Sequence, residues 1–236
     1  MCFSFEADVV AAVALTPVGI ATLWAAKKPR QYAIASIPLF FAAHQGVEAF
    51  VWLWADGNAS DFVGKFAINL YLIMAQMILP VMVPLAVMAI EPDRRRRIYM
   101  AISAFGGLVL AVKFGSILIN GSATAYPLDH VMVYKTTTDV PDIGGLIYVN
   151  ATVFTTIAAT GTYLRLFGVA NAIGISFAGW MRYDAVTSIW CIYAALISFL
   201  IFMHLRLDAA GKEWPGQPDS PNDATDPRGD KVSSSA

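Results

Sequence analysis

Seven stretches of this chain are apolar over the length that a bilayer demands of a helix, and nothing else in the sequence limits its fold as strongly. A spanning helix needs about 20 mainly apolar residues, in a range of about 17–25. The candidates run from about Asp8 to Ala26, Tyr32 to Trp54, Phe66 to Ile90, Ile98 to Asn120, Leu146 to Tyr163, Leu166 to Met181 and Asp184 to His204. The sixth, about 16 residues by this reading, is the shortest and could be a tilted span or a re-entrant segment. Lipid offers backbone N–H and C=O groups no partners, so such segments must satisfy them internally as helices. Composition agrees, with 57% hydrophobic and 14% charged residues over 236 positions, far from the balance of a soluble domain. The expected fold is all-α, an integral membrane bundle of seven transmembrane helices over residues 1–206.

Charge orients the bundle, because Lys and Arg in short loops mark the cytoplasmic side. With the N-terminus outside, the inner loops collect Lys27, Lys28, Arg30, Arg94 to Arg97, Arg165, Arg206 and Lys212, against Lys65, Lys135 and Arg182 outside. The C-terminus is then cytoplasmic. The arginine run at 94–97 needs no ligand to explain it. From Leu207 the sequence turns rich in Pro, Asp, Ser and Gly with almost nothing to bury, and residues 207–236 read as a disordered cytoplasmic tail. A net charge of -1 leaves no basic footprint for nucleic acid. Two cysteines make no disulfide framework, and "MCFSFEADVV" lacks the basic start and cleavage site of a signal peptide. Pro17, Pro38, Pro80 and Pro84 fall inside spans, where they are tolerated and kink helices.

Within the second stretch, "FFAAHQGVEAFVW" carries His44, Gln45 and Glu48. An ionisable side chain at membrane depth is a functional candidate by default. At 1.5 Å per residue Glu48 lies about 9 Å below the outer end of its segment, and His44, one turn further in on the same face, about 15 Å. Lys113, the only lysine inside a span, lies at about 10 Å by the same arithmetic, so a Glu48–Lys113 ion pair is the expected partnership. Asn69, Tyr71 and Gln76, then Tyr148 and Asn150, then Asp184, Ser188 and Cys191 occupy outer halves too, under a long loop that carries Asp129, His130 and Tyr134. The inner halves, such as "LPVMVPLAVMAI", are nearly bare. This asymmetry predicts a polar pocket facing outward, with His44, Gln45, Glu48, Gln76, Lys113, His130 and Asp184 as its residues.

Several chemistries fail on residue type. The last span has no lysine for a retinal Schiff base, and of the three histidines only His44 with a folded-in His130 could meet to hold a bis-histidine haem. No zinc spacing, G-x-S-x-G, H-E-x-x-H or phosphate loop occurs. A metal would have to draw on His44, Glu48 and His130, with Asp184 or Cys2, and no motif supports it. Alkaline-ceramidase-like hydrolases also have seven spans, but place two histidines a turn apart in the last one, where this chain has apolar residues.

"MCFSFEADV", "HQGVEAFVWL", "PVMVPLAVMAIEPDRRRR" and "SIWCIYAALIS" resemble an uncharacterised family of small bacterial multi-span membrane proteins that begin Met-Cys-Phe-Ser, a domain of unknown function. The likeness spans residues 1 to about 204. It implies the bacterial cytoplasmic membrane and adds weight to Cys2, Gln45, Glu48, Trp52, Trp190 and Cys191. The chain departs from the pattern at "HVMVY", with one histidine where a pair is expected, and at "ATGTYLRLFG", which lacks one.

The leading expectation is a protein that binds or senses a small or lipid-borne ligand, with a possible cytoplasmic partner at the 94–97 loop or the tail. A membrane-embedded enzyme, a metal-dependent hydrolase or a redox protein, is the alternative, and a structural membrane factor the third reading.

Overall fold

A computed structural model describes residues 4–128, 131–137, 142–181 and 186–209. The chain is mostly helical. Helix α1 (Phe5–Ala25) is followed by α2 (Pro29–Ala55), α3 (Asp61–Ile90) and α4 (Arg94–Asn120). Strands β1 (Ala123–Leu128) and β2 (Val131–Thr136) then pair antiparallel, Leu128 opposite Val131. A short α5 (Ile143–Ile157), α6 (Thr162–Met181), α7 (Val186–Ile197) and α8 (Phe199–Ala209) complete the described chain, with Ser188–Leu207 forming one apolar span. Six helices among the described residues are therefore long and apolar enough to cross a membrane, and a seventh apolar helix is shorter.

The weak segment is not the one that the sequence suggests. The sixth stretch becomes a helix of 20 residues, because Arg165 does not end it: the exposed guanidinium turns back to the Thr160 carbonyl at 3.2 Å, so the helix starts at Thr162. The fifth is the short one, since the turn after Ile157 is held by the neighbouring end of the bundle. Thr160 donates to the buried Glu91 through its N–H, at 2.8 Å, and through its hydroxyl.

Local chemistry accounts for the starts, turns and bends. Ser4 caps α1 by accepting from the Ala7 N–H at 3.4 Å, and Asp93 caps α4 by accepting from that of Arg96 at 2.8 Å, which satisfies donors that a helix start leaves unpaired. Gly57, at φ +75°, supplies the left-handed residue in the turn after α2. Pro80 has no N–H to offer one turn back, and the chain before it opens into π-helix over Ile73–Ile78. One carbonyl of that wider turn, Ala75, accepts from the Tyr148 hydroxyl of α5 at 2.8 Å. Helix α4 crosses so close by that a Cβ on Gly107 would collide with the Pro80 carbonyl oxygen.

Helix α2 is central: 61% of its apolar window is buried, against 28% for α1 and 33% for α4 and α6. The latter three turn Val13, Trp24, Ile102, Phe105 and Trp180 outward, each at least 65% exposed, as a lipid-facing surface does. The connection between α4 and α5, expected as a long polar loop, contains a hairpin rather than irregular chain alone. Two strands by themselves are marginal, and these are held by burying Val131, Met132 and Val133 against the bundle.

Candidate functional site

Phe41, Ala42, His44, Gln45, Glu48, Ala49 and Trp52 recur along α2 at helical spacing and are all buried, so three polar side chains lie on the face that an apolar helix ordinarily fills with core. His44 and Gln45 are 0% exposed and Glu48 1%. Ser188 of α7 donates to Glu48 Oε1 at 2.7 Å, and the Tyr134 hydroxyl of β2 donates to the same atom at 3.3 Å. Burial pushes the Tyr134 phenol well above the usual tyrosine value, and the nearby Glu48 carboxyl adds to the shift, so the hydroxyl keeps the proton it donates.

Tyr134 also closes an aromatic column. Its ring stacks on Tyr71 of α3 at 4.2 Å and 6°, Tyr71 stacks on His44 at 4.1 Å and 18°, and Phe40 lies 6.4 Å beyond. The hairpin thus reaches through a tyrosine into the middle of the helices. A second acid completes the cluster: Asp8 of α1, 2% exposed, faces Glu48 and Trp52. The Tyr71 hydroxyl lies between Glu48 and Cys191, near enough to act on both, but in no aligned hydrogen bond with either.

Among the described residues, six buried side-chain atoms have no hydrogen-bond partner, and all are here: Asp8 Oδ2, both His44 nitrogens, both Gln45 amide atoms and the Tyr71 hydroxyl. Each such group costs about 1–3 kcal/mol. Buried polar atoms in native proteins are almost all paired, and exceptions mark functional sites or bound molecules. On the inward side of the cluster, Cys191 also lines a cavity of about 20 Å³ together with Phe41, Val83, Phe167 and Trp190. Its polar wall is Thr152 and Asn171, the latter accepting from the Trp190 indole at 3.0 Å. That volume holds about one water molecule.

A model of a family of unknown function, DUF6629, matches residues 1–214. The chain belongs to this family. No curated protein and no solved structure matches it. The DUF6629 match covers every helix of the bundle together with the hairpin, so Asp8, Glu48, Tyr71, Tyr134 and Ser188 all lie within it.

Of the residues expected from sequence, the structure brings His44, Gln45 and Glu48 into this DUF6629 site and leaves Lys113 away from it. Lys113 is exposed on α4, and the groups acting on Glu48 are Ser188, Tyr134, Tyr71 and Asp8; the expected Glu48–Lys113 pair does not form. The geometric reason is facing, since depth along a helix says nothing of which side a residue points to. Gln76 is partly buried on the π turn of α3. His130, Asp184 and Cys2 lie outside the described residues. Among the described residues no three His, Cys, Asp or Glu side chains gather as metal ligands. His44 and Glu48 supply two donors of that set at most.

Other polar residues expected in the outer halves are engaged elsewhere, and Asn150 lies toward the arginine-bearing end, since its partners Tyr99 and Ser103 belong to the first half of α4. Asn150 accepts from Tyr99 at 2.5 Å and donates to Ser103 at 2.9 Å, and Asn69 donates to the Lys65 carbonyl. The pocket expected from sequence omits Asp8, Tyr71, Tyr134 and Ser188. The last three carry a signal, being polar residues at the right depth or in the overlying loop. Asp8 is hidden by its place at the start of the first span, where an acid reads as a boundary.

Proposed function

We propose that this DUF6629 chain is an integral membrane protein that binds or senses a small ligand at the buried polar site beneath the hairpin. The observation that supports this is the set of six unpartnered atoms on four side chains around Glu48. A purely structural acid would be expected to sit among partners that saturate it, because unsatisfied polar groups weaken a fold.

The reading places seven spans in a bacterial cytoplasmic membrane, with α5 as the seventh. In support, Thr160 in the turn after α5 meets Glu91 at the basic end of the bundle, while Ser188 in α7 meets Glu48 at the hairpin end. The arginine-rich end, with Arg94 to Arg97 and Arg165, would then face the cytoplasm together with residues 207–236. A cytoplasmic partner would dock there, and the ligand would come from the outer side or from the lipid.

The test is melting of the purified, detergent-solubilised protein against a panel of small molecules spanning amines, short carboxylates, polyols and inorganic salts. The wild type is expected to gain stability saturably with at least one class, and Glu48→Gln to lose that gain. A panel without effect on the wild type contradicts the reading, as does a gain that Glu48→Gln retains in full.

A further inference from the structure

The oxygen-rich lining of the Glu48 site bears on the class of its ligand, an inference that rests on the ligand-binding reading above. Asp8 and Glu48 are each at most 2% exposed and face one another. Two carboxyl groups in surroundings of low polarity repel if both are ionised, and the one intramembrane lysine, Lys113, is exposed elsewhere. Around the two acids stand three hydroxyls, those of Tyr71, Tyr134 and Ser188, together with the Cys191 thiol and the Trp52 indole, and Gln45 lies one turn before Glu48 on the same buried face of α2; with the acids they come from α1, α2, α3, β2 and α7. Tyr134 and Ser188 give their protons to Glu48 and keep lone pairs. Asp8 Oδ2, Gln45 Oε1 and the Tyr71 hydroxyl have no partner.

A second observation also points to a ligand, since His44 and Gln45, one turn before Glu48 on the same face of α2, and Tyr71 are fully buried polar side chains left unpartnered. Carboxylate, amide and hydroxyl oxygens suit hard cations and N–H donors rather than soft metals. The size is bounded as well. Tyr71, the ring of α3 that faces Glu48, is stacked by His44 on one side and Tyr134 on the other at 4.1–4.2 Å, so it offers no open face to a bulky quaternary ammonium. We propose that Asp8 and Glu48 together hold one small monovalent cation, of ammonium or alkali type, with Tyr134 of the hairpin as its roof.

The experiment measures melting of the full-length protein at constant ionic strength in sodium, potassium, ammonium or methylammonium chloride, each replacing N-methylglucamine chloride, a cation too large for the site. The expected result is a saturable rise in melting temperature with one of the four, and the effective salt tells an alkali ion from an amine. Asp8→Asn and Glu48→Gln should abolish the rise. Tyr134→Phe, which keeps both carboxyls, should move its midpoint to about tenfold higher salt, as loss of a group bonded to a charged site does. Identical melting of the wild type in all five salts overturns the proposal. If a carboxyl variant does not fold, Tyr134→Phe decides, and an unmoved midpoint overturns it. A neutral compound that stabilises through Glu48 while no cation does would overturn the cation and leave the ligand site standing.

Discussion

Two buried glutamates sit at opposite ends of this bundle in opposite circumstances. Glu91, 4% exposed, accepts from the Asp93 N–H at 3.2 Å, the Thr160 N–H at 2.8 Å and the Thr160 hydroxyl. Beside it Arg96 of α4 donates to the Ala158 carbonyl at 3.0 Å, so the α3–α4 and α5–α6 turns are clasped together. Glu48 accepts from two hydroxyls on one oxygen and faces a second acid amid six unpartnered atoms. Burial alone therefore does not distinguish a lock from a site. Saturation does, since a saturated carboxylate spends its interactions on the fold, whereas an unsaturated cluster holds interactions in reserve for something else.

The contrast can be broken most forcefully at the clasp. Glu91→Gln replaces acceptors of three hydrogen bonds to a charged group, and such bonds are worth about 1.5–3 kcal/mol each. Losses within a network do not add in full, so unfolding in detergent should show destabilisation of about 3 kcal/mol with ligand response unchanged. Glu48→Gln should cost far less, within about 1 kcal/mol of the wild type, because relief of the repulsion with Asp8 offsets the weakened bonds to Ser188 and Tyr134. A loss at Glu48 equal to that at Glu91 would make both acids locks.

Tyr134→Phe probes how firmly the hairpin is tied down. Removal of one bond at 3.3 Å should lower stability by about 1 kcal/mol, with the ring stack on Tyr71 retained. Selective gain of hydrogen exchange in residues 131–137 would locate that loss. Lys113→Met should have the smallest effect, within about 0.5 kcal/mol, and should add to Glu48→Gln without coupling, as sites that share no partners do. Coupling above that level would mean that the two side chains meet after all.

How much of this is legible in the sequence follows from what each signal encodes. Apolar length locates the six long helices among the described residues, because the bilayer requirement acts on each segment alone, and it errs where a polar residue resolves itself locally, as Arg165 does at the start of α6. Glu48 with His44 and Gln45 stands out because polar residues at helical spacing in an apolar run have few meanings. Partners are harder. Lys113 shares depth with Glu48 and turns the other way, since rotation about a helix axis depends on packing that no single segment records. Tyr134 lies in a stretch whose alternating Val and Tyr residues form strands only with a bundle to cover. Asp8 needs the antiparallel register of α1 on α2, where Gly19 packs against Leu39 at 2.7 Å from its would-be Cβ.

The most direct measurement is an experimental map of the protein in lipid at a resolution that shows ordered water and ions. Non-protein density is expected within hydrogen-bond distance of Asp8 Oδ2, Gln45 and Tyr71, next to Glu48. Asp8, Gln45 and Tyr71 turned to bond one another, with no density between them, would contradict a ligand site and make Glu48 a second Glu91.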